Sequence, residues 1–132
     1  MKYSFSLILI IGIGMVNAAV AGDTSPTAQL KYWTDQTGAE ANPIAGKLFF
    51  TQTHGKEWSC ASCHGNSPLN TGKHASTNKA IPPLAPSSNP EAFTETTKIE
   101  KWFRRNCNDV LARECTPLEK ANVLAYLISL TK

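Results

Sequence analysis

Past residue 15 the chain contains no methionine, its only two being Met1 and Met15. Any metal centre in the body of the protein must therefore do without a thioether ligand. Long apolar runs are scarce as well. The uncharged stretch from Phe5 to Val16 falls short of the roughly 20 residues that a bilayer-spanning helix needs. Lys2 precedes it, and Val16-Asn17-Ala18 and Ala19-Val20-Ala21 offer small-residue cleavage sites, so residues 1–21 read as a secretory signal peptide cut after Ala21. Both methionines leave with it, and the protein is expected in the periplasm. The basic residues form no run of the length that nucleic-acid binding would call for. The formal charge of +3 becomes +2 once Lys2 is removed. Convincing strand alternation is missing too, which leaves 22–132 as one domain with a single core and short helices.

Cysteine is limited to four residues, all beyond Ala21. In an oxidising compartment free thiols are unusual, so each needs a bond. Cys60-Ala61-Ser62-Cys63-His64 has the C-x-x-C-H spacing of covalent haem attachment. Two intervening residues set the sulfurs apart to match the two vinyl groups on one edge of the macrocycle, and the next residue brings an imidazole under the iron. A thioredoxin-like pair would be expected within a βαβ pattern. A zinc site would need a closer second pair than Cys107 and Cys115 provide. With Cys60 and Cys63 taken by thioether bonds, Cys107 and Cys115 have only each other. A disulfide there would close a loop of nine residues and stabilise the fold by ~2 kcal/mol.

Helix signals punctuate the rest. Ser25-Pro26 opens a first helix towards Gly38, and Asn42-Pro43 a second that ends before His54-Gly55. From Cys63 to Asn89 the chain is rich in Pro, Ser, Asn and Gly, the composition of a long irregular loop. Within it Ile81-Pro82-Pro83-Leu84-Ala85-Pro86 should be stiff and extended, an apolar wall for the haem edge. A third helix is expected from about Thr96 to Arg105, with Ile99, Trp102 and Phe103 as a buried stripe that Asn106 continues. Lys98, Lys101, Arg104 and Arg105 share that helix, as a solvated face or as a docking patch for an acidic redox partner. Thr116-Pro117-Leu118-Glu119 makes a capping box for a last helix to about Leu130, with two apolar stripes: Ala121, Leu124 and Ile128, and Val123, Leu127 and Leu130.

Short helices on either side of a C-x-x-C-H resemble the class I cytochrome c fold, an all-α fold wrapped around one covalent haem. In that family the N-terminal and C-terminal helices cross closely at a glycine and an aromatic pair, here matched by Gly46, Phe50 and Tyr126. The proximal iron ligand is then His64. The distal position is open to His54, His74, Asn106, a lysine, water or nothing. His54 lies only six residues before Cys60, which commits it to the attachment side. His74 sits in the long loop. Asn106 lies on the inward stripe, where an amide is either a helix C-cap or a ligand.

Arg105-Asn106-Cys107-Asn108-Asp109-Val110, Cys115-Thr116-Pro117, Glu119-Lys120-Ala121, Gly22 to Pro26, Ile81 to Pro86 and Cys60 to His64 together resemble the SHP-type cytochromes c, high-spin monohaem proteins. The resemblance implies that Asn106 is the axial ligand, that Cys107 and Cys115 form the disulfide, and that the cofactor is a single haem c. The similar cytochrome c double-prime proteins carry histidine at the position of Asn106. Asn78 and Ala80 depart from the glycine and glutamate that the family tends to have there.

An amide oxygen is a weak-field donor, so ferric iron between His64 and Asn106 should be high-spin, and reduction should release Asn106. The resemblance further implies an electron carrier that binds oxygen, nitric oxide or carbon monoxide at the ferrous haem and takes electrons from a partner such as a dihaem cytochrome c. The competing expectations are a plain six-coordinate carrier with His74 as distal ligand and a small oxygen- or nitrogen-species reductase.

Overall fold

Helix starts follow from the capping residues. The computed structural model describes residues 22–132, and the expected signal peptide, residues 1–21, lies outside the described residues. Helix α1 is Pro26–Thr37, α2 Pro43–Thr51, α3 Cys60–His64, α4 Thr96–Leu111 and α5 Pro117–Ser129. Ser25, Asn42, Ser59 and Thr116 each accept a backbone N–H at the start of their helix, satisfying donors that the first turn leaves unpaired. Helix α4 has no such side chain of its own. Asp23 Oδ1 supplies the acceptor instead, 2.7 Å from the Thr96 amide, and so ties the start of the described chain to α4.

Helix α5 carries both expected stripes, and each meets a different helix. Ala121 and Leu124 pack with Trp33 of α1 and Ile99 of α4, with Ile128 against them. Val123, Tyr126 and Leu127 pack with Phe50 of α2, with Leu130 against them. Where α2 crosses α5, Gly46 lies directly on the Asn122 backbone, and a Cβ there would collide with the Asn122 carbonyl. The Asn122 side chain reinforces the crossing by accepting from the Asn42 amide at 2.7 Å. Phe50 and Tyr126 follow with ring centroids 5.7 Å apart, an edge-on aromatic distance. On the α1 side, Glu100 accepts from Trp33 Nε1 at 3.3 Å and from Lys120 Nζ at 2.7 Å, linking α1, α4 and α5.

Three expectations change. Helix α4 does not stop at Arg105 but runs on to Leu111 and ends at Ala112, which adopts a left-handed φ of 58°. Ile99, Cys107 and Val110 bury their side chains along its length, so apolar packing outweighs the polar residues between them. Trp102 does not join that stripe and is 45% exposed. The long loop also contains one regular piece, an antiparallel pair of β1 (Gly72–Lys73) and β2 (Ala80–Ile81). Asn78, in the turn of this hairpin, takes a φ of 59°, the region where glycine is easiest and asparagine the best-tolerated substitute.

The turn between α4 and α5 is held from several sides. Cys107 and Cys115 form the expected disulfide, with Cα atoms 5.6 Å apart. Arg113 donates to both Glu119 carboxylate oxygens at 2.7 and 2.8 Å, and Glu119 also accepts from the Thr116 amide at 2.8 Å. The Arg113 hydrogen bond, chiefly, holds the Glu119 carboxyl below its ordinary value. A lowered folded-state pKa gives stability that is complete above the ordinary glutamate range and fades as pH falls through the folded value. The melting-point difference between the protein and Glu119→Gln should therefore shrink as the pH is taken from about 6 to about 3. A constant difference across that range would show that the carboxylate charge is not what matters.

Candidate haem site

Helix α3 is little more than one turn, and its stability is local. Ser59 and Ser62 cap each other: Ser62 N donates to Ser59 Oγ at 3.2 Å, and Ser59 N to Ser62 Oγ at 3.0 Å. With Cys60 and Cys63 three apart on a helix, both thiols share one side, and His64 stands one turn after Cys60. Gly65, at φ 75°, turns the chain away. The returning loop presses on the same turn at Gly72, where a Cβ would run into the Cys63 carbonyl and approach the His64 Cα to 2.9 Å. Beside it, Ala75 N donates to Cys63 Sγ at 3.3 Å.

Both thiols are free and half-buried. Burial above all, with Cys63 nearby, pushes the Cys60 thiol up to about 11, which keeps it as S–H. Burial also lowers the His64 pKa, favouring the neutral imidazole that can act as a ligand. Its Nδ1 is buried without a hydrogen-bond partner among the described residues, and its ring centre is 6.1 Å from that of Phe50. Two thiols at thioether spacing and a neutral, desolvated imidazole fit a covalent haem.

Apolar walls converge on this turn from four parts of the chain. Cys60 and Ala61 pack on the Phe50, Val123, Tyr126 and Leu127 cluster together with Leu84, Phe93 and Phe103. Leu84 belongs to the proline-rich segment, which is fixed rather than loose: the buried Pro68 offers its carbonyl to Leu84 N at 2.9 Å and Ala85 N at 3.1 Å. Asn89 Nδ2 donates to the Pro83 carbonyl at 2.9 Å. Phe103 brings α4 to the same cluster, and Asn106 follows it three residues later.

Asn106 is half-buried inside α4, five residues before its end at Leu111, so it is not a cap. Its amide makes no side-chain hydrogen bond among the described residues. A cavity of about 210 Å³ lined by Lys56, Glu57, Trp58, Asn108 and Asp109 sets the residues just after Asn106 against those just before Cys60. The other histidines are engaged elsewhere. His54 Nε2 lies 2.8 Å from the Phe49 carbonyl, and its ring stacks on Phe49 with centroids 4.4 Å apart. His74 Nδ1 faces the amides of Ser76 and Thr77 and the Ser76 hydroxyl, each at 3.3 Å, and so caps its own hairpin. Gly72 and Ser59 were not singled out from sequence. A glycine in a polar loop carries no mark of what it approaches, whereas Ser59 and Ser62, three apart around the first cysteine, had the capping-box spacing.

Comparison with known proteins agrees with this arrangement. Residues 36–127 match a family described as a domain of unknown function, DUF1924. The chain is 44% identical over 123 residues to the cytochrome c-type protein SHP of Cereibacter sphaeroides, covering 90% of this chain and 95% of that one. It is 40% identical over 138 residues to cytochrome c'' of Methylophilus methylotrophus, covering 96% and 95%. Among solved structures, oxidized SHP, described as an oxygen-binding cytochrome c, superposes with a TM-score of 0.77 at 41% identity, over 83% of this chain and all of that one. A solution structure of the Methylophilus methylotrophus cytochrome c'', described as giving insight into haem-ligand detachment, gives 0.72 at 40% identity, over 81% and 94%. The all-α fold, the paired thiols ahead of a desolvated histidine and this likeness over most of the chain agree: the protein belongs to the DUF1924 family with SHP and cytochrome c'', as a c-type cytochrome carrying one haem c.

Proposed function

We propose that the protein is an exported electron carrier whose distal haem position is closed by a labile amide, Asn106, and opens to small diatomic ligands such as oxygen, nitric oxide or carbon monoxide on reduction. The observation that carries this reading is the placement of Asn106. It lies within a helix, half-buried, on a chain with no methionine past residue 15, and neither capping nor a hydrogen bond explains it. When bound, a haem would supply a one-electron iron centre. The Cys60 and Cys63 thiols would hold it covalently through its two vinyl groups. The neutral His64 imidazole gives the proximal lone pair. Asn106 offers a neutral carbonyl oxygen, a hard donor that ferric iron holds better than ferrous. Description of one relative as oxygen-binding and of the other in terms of haem-ligand detachment supports the same reading.

His74 is the weaker distal candidate, since using it would break the cap of its hairpin and move the Ala75 amide off Cys63. A redox partner protein, such as a dihaem cytochrome c, would deliver the electron, and the basic residues of α4 suit an acidic one. Among the described residues no helix is long and apolar enough to cross a membrane. The visible spectrum of the purified ferric holoprotein should be high-spin, and the dithionite-reduced form should bind carbon monoxide within mixing. A low-spin protein inert to carbon monoxide in both oxidation states would overturn the open-site reading.

A further inference from the structure

Sequence periodicity puts Ile99, Trp102, Phe103 and Asn106 on one stripe, yet only part of that stripe is covered by protein. Ile99 is 6% exposed and Phe103 half-buried, while Trp102 is 45% exposed and Asn106 only half-buried. Trp102 and Asn106 are four residues apart on α4, so their side chains are neighbours one turn apart on the same face. A lone exposed apolar side chain needs no explanation. This one adjoins a polar amide that has no partner of its own, and the two together form a face that is apolar at one end and donor-bearing at the other.

The charges beside the indole say what such a face would fit. Lys101 Nζ lies 5.7 Å and Arg105 Cζ 5.6 Å from the Trp102 ring centre. Helix α4 holds four basic residues against two acidic ones, while the rest of the described chain balances eight against eight. A haem presents a broad apolar plane with two carboxylates on one edge, which complements an indole flanked by two cations.

We propose that Trp102 is a distal haem-pocket residue, its indole lying against the porphyrin beside Asn106 and staying there when the amide leaves. The proposal rests on the reading of Asn106 as the distal ligand. One helical turn is about 5.4 Å, so an indole placed a turn before the amide covers the porphyrin towards its rim rather than the iron. There it excludes water from the vacated position and narrows the approach for a diatomic ligand. Asn106 then sets when the site opens, and Trp102 sets how far.

The test uses the reduced, carbon-monoxide-bound holoprotein, which is diamagnetic. Nuclear Overhauser contacts are expected between the Trp102 indole protons, assigned by comparison with Trp102→Phe, and the haem methyl or meso protons. Trp102→Ala should speed carbon monoxide association by about tenfold, equivalent to roughly 1.4 kcal/mol off the barrier, and Trp102→Phe should restore most of the difference. An indole without haem contacts, or an association rate unchanged in Trp102→Ala, would overturn the proposal and leave the ring to a docking role. Far-ultraviolet spectra and melting points of both variants guard against misfolding as the cause of a faster rate. Failure of the Asn106 reading is seen separately: Asn106→Ala would then leave the ferric spectrum unchanged, whatever the indole contacts report.

Discussion

Asn106→His is expected to convert the ferric holoprotein from high-spin to low-spin, with loss of the high-spin charge-transfer absorption. Asn106 lies well inside α4, six residues before the C-cap Ala112, so a histidine there disturbs no cap. Histidine is only moderately poorer than the best helix formers, by at most about 0.7 kcal/mol. The backbone should therefore present an imidazole from the same place as the amide. The disulfide immediately after it and the Arg113–Glu119 pair hold the following turn in place, so the new ligand cannot escape by unwinding the end of α4. Imidazole nitrogen is a much stronger-field donor than an amide oxygen, which pairs the iron electrons. Asn106→Ala is the companion: it removes the donor without adding one and should stay high-spin, with the visible bands shifted. If neither variant moves the ferric spectrum, Asn106 is not at the iron, and the attachment through Cys60 and Cys63 is all that survives of the site. To populate the low-spin state in ninety-nine molecules of a hundred, the imidazole must outcompete water or a vacant position by only about 2.7 kcal/mol, a modest demand for a ligand held on a helix.

What could be read from sequence is what local chemistry decides. The short helix of the proposed attachment turn is legible because its C-x-x-C-H spacing and its Ser59–Ser62 cap are local to a few consecutive residues. Helix starts are legible because Ser25, Asn42 and Thr116 cap with their own side chains next to a proline. The two stripes of α5 are legible because a 3.6-residue period survives any rearrangement of its partners. The cap of α4 shows the limit: the helix starts at Thr96 as expected, but Glu95 makes no side-chain cap and the acceptor comes from Asp23, far away in sequence. Its end was misplaced for a related reason. Asn106 looks like a helix stop, yet Cys107 and Val110 are buried and carry the helix past it. That longer helix matters to function, because it removes the capping explanation for Asn106. The exposure of Trp102 was equally hidden, since periodicity says which residues share a face and not what covers it.

The helix crossing offers the largest expected loss of stability. Gly46→Val should destabilise the holoprotein steeply, by about 3 kcal/mol at the upper end of ordinary overpacking costs. The atom in the way is the Asn122 carbonyl, part of a helix backbone that cannot rotate aside as a side chain could. Relief requires α2 to lift from α5, which would part Phe50 from Tyr126, now 5.7 Å apart, and loosen the Asn42–Asn122 hydrogen bond of 2.7 Å. Gly46→Ala meets the same carbonyl with its single methyl. Its loss should be smaller, because alanine recovers up to about 1 kcal/mol of helix propensity and adds less bulk. For a domain of this size each 1 kcal/mol corresponds to about 4 °C or more, so the two variants should be resolved by thermal unfolding followed at the haem absorption. Equal melting points for the protein and Gly46→Val would mean that the helices do not cross in contact. The same crossing reaches the iron site through one ring, since Phe50 also lies 6.1 Å from His64. A lifted α2 would therefore free the His64 imidazole to tilt, and with His64 at the iron as proposed, Gly46→Val should broaden the ferric haem spectrum at temperatures below its own unfolding. Gly46→Ala, with the smaller shift, should leave the spectrum sharp, which would separate strain at the crossing from a general loss of stability.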